Sequence, residues 1–182
     1  MQKIDFDGLH GVSAGKHLYQ FYKNTEDYLR ILTAYFAAGL EKGDACLWLA
    51  SEKTGLEKVR EAAEQMIPNA ARHLAAGRLE IRSAESWYLT KGRFDEARAA
   101  DNARVYIAEK REAGFKTFRG AGDMAAIPHQ DWNSVWPYEK KIDAFVKGNL
   151  ITGLCAYPIL ECAISDTRKV LELHDGVLVG KL

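Results

Sequence analysis

The stretch HGVSAGKHLYQFYKNTED, residues 10–27, decides how the chain is read. Gly11-x-x-x-Gly15-Lys16 comes close to a phosphate-binding loop, G-x-x-x-x-G-K-[ST] set between a strand and a helix. In such a loop the glycines let backbone N–H groups curl around phosphate, the Lys neutralises charge and the hydroxyl holds magnesium. Here the spacing is one residue short, and His17 stands where the hydroxyl belongs. The position is wrong as well. Gly15-Lys16 precedes LYQFY (18–22), whose β-prone aromatics read as a strand. The junction into the following helix is FYKNTED, which has no glycine and carries Glu26 and Asp27. Those carboxylates repel a triphosphate from the helix N-terminus that would otherwise attract it. No functional phosphate loop is expected.

Outward from this stretch the periodicity alternates. Asn24 or Thr25 caps a helix with Tyr28, Ile31, Leu32, Tyr35, Phe36 and Leu40 on its apolar face. Gly43-Asp44 turns the chain into ACLWLA (45–50), a continuous apolar run suited to a strand covered on both faces. Thr54 is expected to cap a helix that stops near Pro68, and Gly77 to end a further short helical turn. RLEIRS (78–83) is a strand, 94–112 an Ala-rich helix and FKTFRG (115–120) a strand. Asp131 to Lys147 is mostly helical, started or kinked by Pro137, and LITGLCAY (150–157) is a strand. Ser165 is expected to cap a last helix ending near His174, with GVLVGKL (176–182) as an edge strand. Strands alternating with helices of ten or more residues predict an α/β three-layer sandwich with a mainly parallel central sheet, in one domain.

Composition narrows the function. At 182 residues the chain is long enough to bury a real core, and 47% hydrophobic with 27% charged residues is a globular profile. Twenty-five Lys and Arg cancel 25 Asp and Glu, so no net field draws it to nucleic acid or membrane phosphate. No apolar run suits export or a membrane span. Three cysteines, Cys46, Cys155 and Cys162, form no C-x-x-C pair and no disulfide framework, which is consistent with a reduced, cytoplasmic setting.

The run AYFAAGLEKGDACLWLASE resembles the segment after the phosphate loop in KaiC-type members of the RecA-like ATPases. A better match is the MEDS domain, the sensory domain of DcmR-type regulators from methylotrophs and methanogens, which shares that scaffold without the loop. The resemblance is carried by His17 with Phe21-Tyr22, Gly39-Leu40 with Gly43-Asp44 and Cys46, and Gly122-Asp123-Met124. It continues through Trp136 with Tyr138-Glu139, Cys155-x-Tyr157 and His174, over roughly residues 15–177. It implies a non-catalytic sensor of small hydrocarbon derivatives in prokaryotic signal transduction or transcriptional control. A histidine kinase or transcription regulator would be the protein partner, with no direct contact to nucleic acid or membrane. One departure is Asp175 after His174, where the family pattern has Pro.

In open α/β sheets ligands sit outside the carboxyl ends of the strands. Those ends place Tyr22, Asn24, Glu52, Arg119, Asp123, Met124 and Tyr157 at the expected crevice. Arg119 suits gripping a carboxylate, unless it only pairs with Asp123 across the glycines between them. Glu52 occupies the position of an ATPase carboxylate but is followed by Lys53, so an ion pair or helix cap is the plainer role. Trp136, Tyr138 and Glu139 would wall an apolar pocket, although aromatics at such spacing are more often core. His17 reads first as a hydrogen-bonding residue fixing the start of the strand, and Cys155 as a buried, inert thiol. His17, His129, His174, Cys155 and Cys162 lack ligand spacing, so neither metal nor other cofactor is expected, leaving only a site assembled from distant residues. Two other readings remain open: an enzyme using Glu52 or Asp123 as base with His17, and a protein-binding scaffold. Exposed strand edges make a homodimer plausible.

Overall fold

The computed structural model describes residues 2–5 and 7–179. In chain order β1 is Gln2–Ile4, β2 Lys16–Tyr22, α1 Thr25–Lys42, β3 Ala45–Ala50, α2 Leu56–Met66 and α3 Ala70–Ala75. There follow β4 Leu79–Ser83, α4 Ala84–Tyr88, the two-residue strands β5 Leu89–Thr90 and β6 Arg93–Phe94, and α5 Glu96–Glu112. The chain continues with β7 Phe118–Asp123, α6 Trp132–Gly148, β8 Ile151–Pro158, α7 Ile164–Leu173 and β9 Gly176–Leu178.

Seven strands form one sheet in the order β1-β9-β2-β8-β7-β3-β4, and every pairing in it is parallel. The expected α/β sandwich is therefore the fold. Side chains alternate across the sheet. In β3, Cys46, Trp48 and Ala50 join the core under α1 and α2, while Ala45, Leu47 and Leu49 join the core under α4 to α7. All six residues of β3 and all eight of β8 are buried, as a strand with helices on both faces requires. The six apolar positions expected on α1 are buried, and Asn24 caps it by accepting from the Asp27 N–H at 2.9 Å.

The opening motif falls outside any strand-to-helix junction. Gly15, at φ 84°, donates its N–H to Ile151 O at 2.8 Å, and Lys16 starts β2 at the end opposite α1.

Several expectations shift. β7 runs to Asp123, three residues beyond the expected end, because Gly120 and Gly122 continue the strand. A Cβ at Gly122 would stand 2.2 Å from the Tyr88 hydroxyl, so glycine is required by close approach. Gly55, at φ 88°, precedes α2, and the Thr54 hydroxyl bonds Asp123 instead of capping. Ala163 flanks α7, where Asp166 rather than Ser165 caps by accepting from the Ala163 N–H at 2.9 Å. Pro137 lies inside α6 and removes one backbone donor there. β9 is paired on both sides, by β1 and β2, so it is not an edge and gives no support to dimerisation; residues 180–182 of the expected strand lie outside the described residues.

Candidate functional site

The expected crevice at the strand ends is closed by the protein's own hydrogen bonds. Asp123 is fully buried. Its Oδ1 accepts from the Tyr22 hydroxyl at 2.8 Å and from the Ala125 N–H at 3.1 Å. Its Oδ2 accepts from the Ser51 and Thr54 hydroxyls at 2.6 and 2.8 Å. The carboxylate ties the ends of β2, β3 and β7 together and has no lone pair left for a ligand. Asn24 is spent on its cap, and Glu52 is exposed, joined to the rest by its backbone N–H donating to Glu85 at 2.9 Å.

Arg119 is neither at a strand end nor paired with Asp123. It is the second residue of β7 and 1% exposed, with Nε donating to Asp44 at 3.2 Å and Nη1 to Tyr35 O at 2.7 Å. Its guanidinium lies 4.8 Å from the centre of the Tyr35 ring. Gly39 makes room, since a Cβ there would stand 2.6 Å from Arg119 Cδ. The Gly39-Leu40 and Gly43-Asp44 motifs are thus the seat of a buried arginine. The alternative enzyme site does not assemble either: Asp123 bonds Tyr22 on the α1 face, while His17 lies on the opposite face beside Cys155 and Glu139.

That opposite face holds a cavity of about 110 Å³ between the sheet and helices α4 to α6. Its walls are mostly aromatic and aliphatic, among them Trp87, Tyr88, Tyr106, Met124, Tyr138 and Phe145. His17, Glu139 and Cys155 form a compact polar group in its lining. Of the expected residues, His17, Arg119, Met124, Tyr138 and Glu139 line this cavity, and Tyr157 supports it through its bond to Glu139. Trp136 is buried against Trp132, with Lys169 over its ring at 5.1 Å, away from the walls.

Strand register builds the polar end. His17 of β2 is paired with Gly153 of β8, and Tyr19 with Cys155, so His17 and Cys155 share one face of adjacent strands. Gly153 leaves space for Val146 of α6, because a Cβ there would stand 3.0 Å from its side chain, while the imidazole of His17 would be in ordinary contact at 3.6 Å. His174 follows α7 and packs against His17 with ring centres 4.2 Å apart and planes tilted by 37°. Asp175 fixes this arrangement: its carboxylate accepts from the His17 N–H at 2.9 Å, and its own N–H donates to His17 O at 2.8 Å. The residue that departs from the family pattern thus brackets the histidine.

Glu139 projects from α6 into the centre. Its Oε1 accepts from the Tyr157 hydroxyl at 2.9 Å, and its Oε2 lies 3.6 Å from Cys155 Sγ and 3.4 Å from His17 Nε2. Burial pushes the Glu139 carboxyl up to about 7 and, with the nearby Glu139 charge, holds the Cys155 thiol well above its ordinary range. Burial lowers His174 to about 4, and burial together with His174 and Lys147 holds His17 well below its ordinary value. Burial thus favours the uncharged form of all four groups. The same four residues are also a possible metal donor set, which the wide sequence spacing conceals; the shared strand face of His17 and Cys155 is the signal that could have found it.

The family model MEDS, described as MEthanogen/methylotroph, DcmR Sensory domain, matches residues 16–175. No match is found among curated proteins.

Proposed function

The chain belongs to the MEDS family of sensory domains, and on that premise we propose that it is a non-catalytic receptor for a small hydrocarbon derivative, bound in the cavity beside Glu139. The observation carrying this reading is an apolar, aromatic-walled space that ends on one compact polar group. Apolar walls favour a hydrocarbon body, and the few polar atoms fix its orientation. The volume limits the ligand to a few heavy atoms, since an apolar cavity of roughly 150 Å³ takes a benzene. A neutral polar end accommodates an alcohol, halide or amine better than a strong anion.

The signal would pass by population shift: a ligand touching Glu139 and Tyr138 favours one setting of α6, and a histidine kinase or transcription regulator reads that setting. Differential scanning fluorimetry tests the reading. A panel of small alcohols, amines, carboxylates and halogenated one-carbon compounds is compared with ATP and magnesium. A rise in melting temperature with an organic compound, absent with ATP and lost on filling the cavity by Ala103→Leu, supports it. A shift with ATP and magnesium and with no organic compound overturns it.

A further inference from the structure

Beneath the cavity, one donor atom from each of His17, Glu139, Cys155 and His174 lies within 4.8 Å of every other. No second such group of His, Cys, Asp and Glu forms among the described residues. The individual separations are 3.4 Å from His17 Nε2 to Cys155 Sγ and 3.4 Å to Glu139 Oε2. Cys155 Sγ lies 3.6 Å, and His174 Nε2 3.8 Å, from that same oxygen. In a tetrahedral zinc site, bonds of about 2.0 Å to nitrogen and oxygen and 2.3 Å to sulfur put neighbouring donors about 3.3–3.6 Å apart. These four separations, 3.4–3.8 Å, are close to those spacings, and the remaining two are within 4.8 Å.

Two features separate this group from an ordinary hydrogen-bonded core cluster. His174 Nε2 is buried and has no hydrogen-bond partner, although its side chain is 0% exposed. Its other nitrogen, Nδ1, is 2.7 Å from Val170 O. A carbonyl only accepts, so the proton is on Nδ1 and Nε2 aims a bare lone pair into the cluster. That is how a metal-binding histidine is oriented by its outer shell. The second feature is Tyr157, whose bond to Glu139 Oε1 leaves Oε2 turned towards both imidazoles and the thiol.

We propose that His17, Glu139, Cys155 and His174 form a four-ligand site for a divalent transition ion of the zinc class. A thiolate and two imidazoles select zinc, cobalt or copper over magnesium and calcium, which prefer all-oxygen shells. Charge also balances: one thiolate and one carboxylate cancel the two positive charges of the ion, leaving a neutral complex in a buried place. Starting from thiol and carboxylic acid, loading releases two protons per ion to solvent. The site stands whether or not the cavity takes an organic ligand.

The test is titration of the chelator-stripped full chain with Co²⁺, followed by Zn²⁺. One cobalt per chain is expected, with tetrahedral d–d absorption and a thiolate-to-cobalt charge-transfer band, both abolished by stoichiometric zinc. Tyr157→Phe weakens binding by roughly 10- to 100-fold, as loss of an outer-shell partner does, and His174→Ala by more. The chain has three cysteines, so a Cys46→Ala/Cys162→Ala variant keeps the band with all four ligands intact. That control holds even where Cys155→Ala fails to fold. No stoichiometric ion in the wild type, a cobalt spectrum without the thiolate band, or a band lost in the double variant would overturn the assignment.

Discussion

Two buried carboxylates on opposite faces of one sheet meet different fates. Asp123, on the α1 face, takes hydrogen bonds from three hydroxyls and from backbone N–H groups. Glu139, on the other face, takes one hydroxyl and a thiol, with two imidazoles beside it. A saturated carboxylate is a rivet, because every lone pair is committed and no ligand can improve on it. An under-satisfied one, placed against a cavity, has capacity left over. The strand-end crevice, where open α/β sheets ordinarily bind, is held closed here by these bonds, and the under-satisfied carboxylate lies beside the cavity on the face covered by α6.

The comparison breaks first at Asp123. Asp123→Ala strands the Tyr22, Ser51 and Thr54 hydroxyls without their acceptor, and a loss of about 3 kcal/mol or more in the unfolding free energy, read from urea unfolding, is expected. A loss below about 1 kcal/mol would mean that water replaces the carboxylate and that the end of the sheet is open.

Glu139 is expected to behave in the opposite way when a chelator is present. Folded Glu139 keeps its proton up to about pH 7, whereas the unfolded chain releases it near 4.5. The folded state therefore holds the extra proton between those values, and stability falls as pH rises through the window, by about 3 kcal/mol in all. His174 works against this, because folded it protonates only near pH 4 and its contribution is lost as pH falls below 6.5. The groups facing Glu139 are His17, Cys155, Tyr157, His174 and, through its charge, Asp143. Glu139→Gln removes the first effect alone. Its stability relative to wild type should rise between pH 5 and 8, as read from urea titrations at both; a constant difference would show that burial does not control this carboxyl.

Smaller effects sharpen the contrast. Gly39→Ala pushes against Arg119 Cδ and is expected to cost about 1–3 kcal/mol in thermal denaturation, with no change in cobalt binding. Gly153→Ala presses on Val146 of α6 and only touches the His17 ring, so it should cost about 1 kcal/mol in thermal denaturation and leave cobalt binding nearly unchanged. Asn24→Ala removes a cap worth about 1 kcal/mol, and Glu52→Ala should stay within about 0.5 kcal/mol of wild type.

What the sequence made legible follows from how local the signals are. The helical face of α1, its Asn24 cap and the doubly covered strands β3 and β8 are written in short-range periodicity, and so the sandwich was readable. Helix α4 and the β5–β6 hairpin are too short to carry a period. The end of β7 was misplaced because its glycines look like a turn, and only Tyr88, 34 positions earlier in the numbering, explains Gly122. The family pattern nominates His17 and Glu139, whereas the strand-end rule sends Arg119 and Asp123 to a crevice that Arg119 does not reach and that the partners of Asp123 close. Cys155 read as an inert thiol because its neighbours in space come from β2, α6 and the end of α7. Convergence of that kind is a property of strand order, which no local spacing encodes.

The adjacency of β9 and β2 also sets a timetable. His17 and Asp175 are 158 residues apart in the chain, yet Asp175 is what holds the His17 backbone. At about 5–20 residues per second, synthesis leaves an interval of roughly 8–30 s between them. Throughout that time a nascent chain has His17 without its bracket and without the ring that packs against it, while Cys155 reaches the solvent some residues before His174. The four-residue cluster thus comes together only once nearly the whole matched domain has been made, so a ribosome-stalled or truncated chain would lack it.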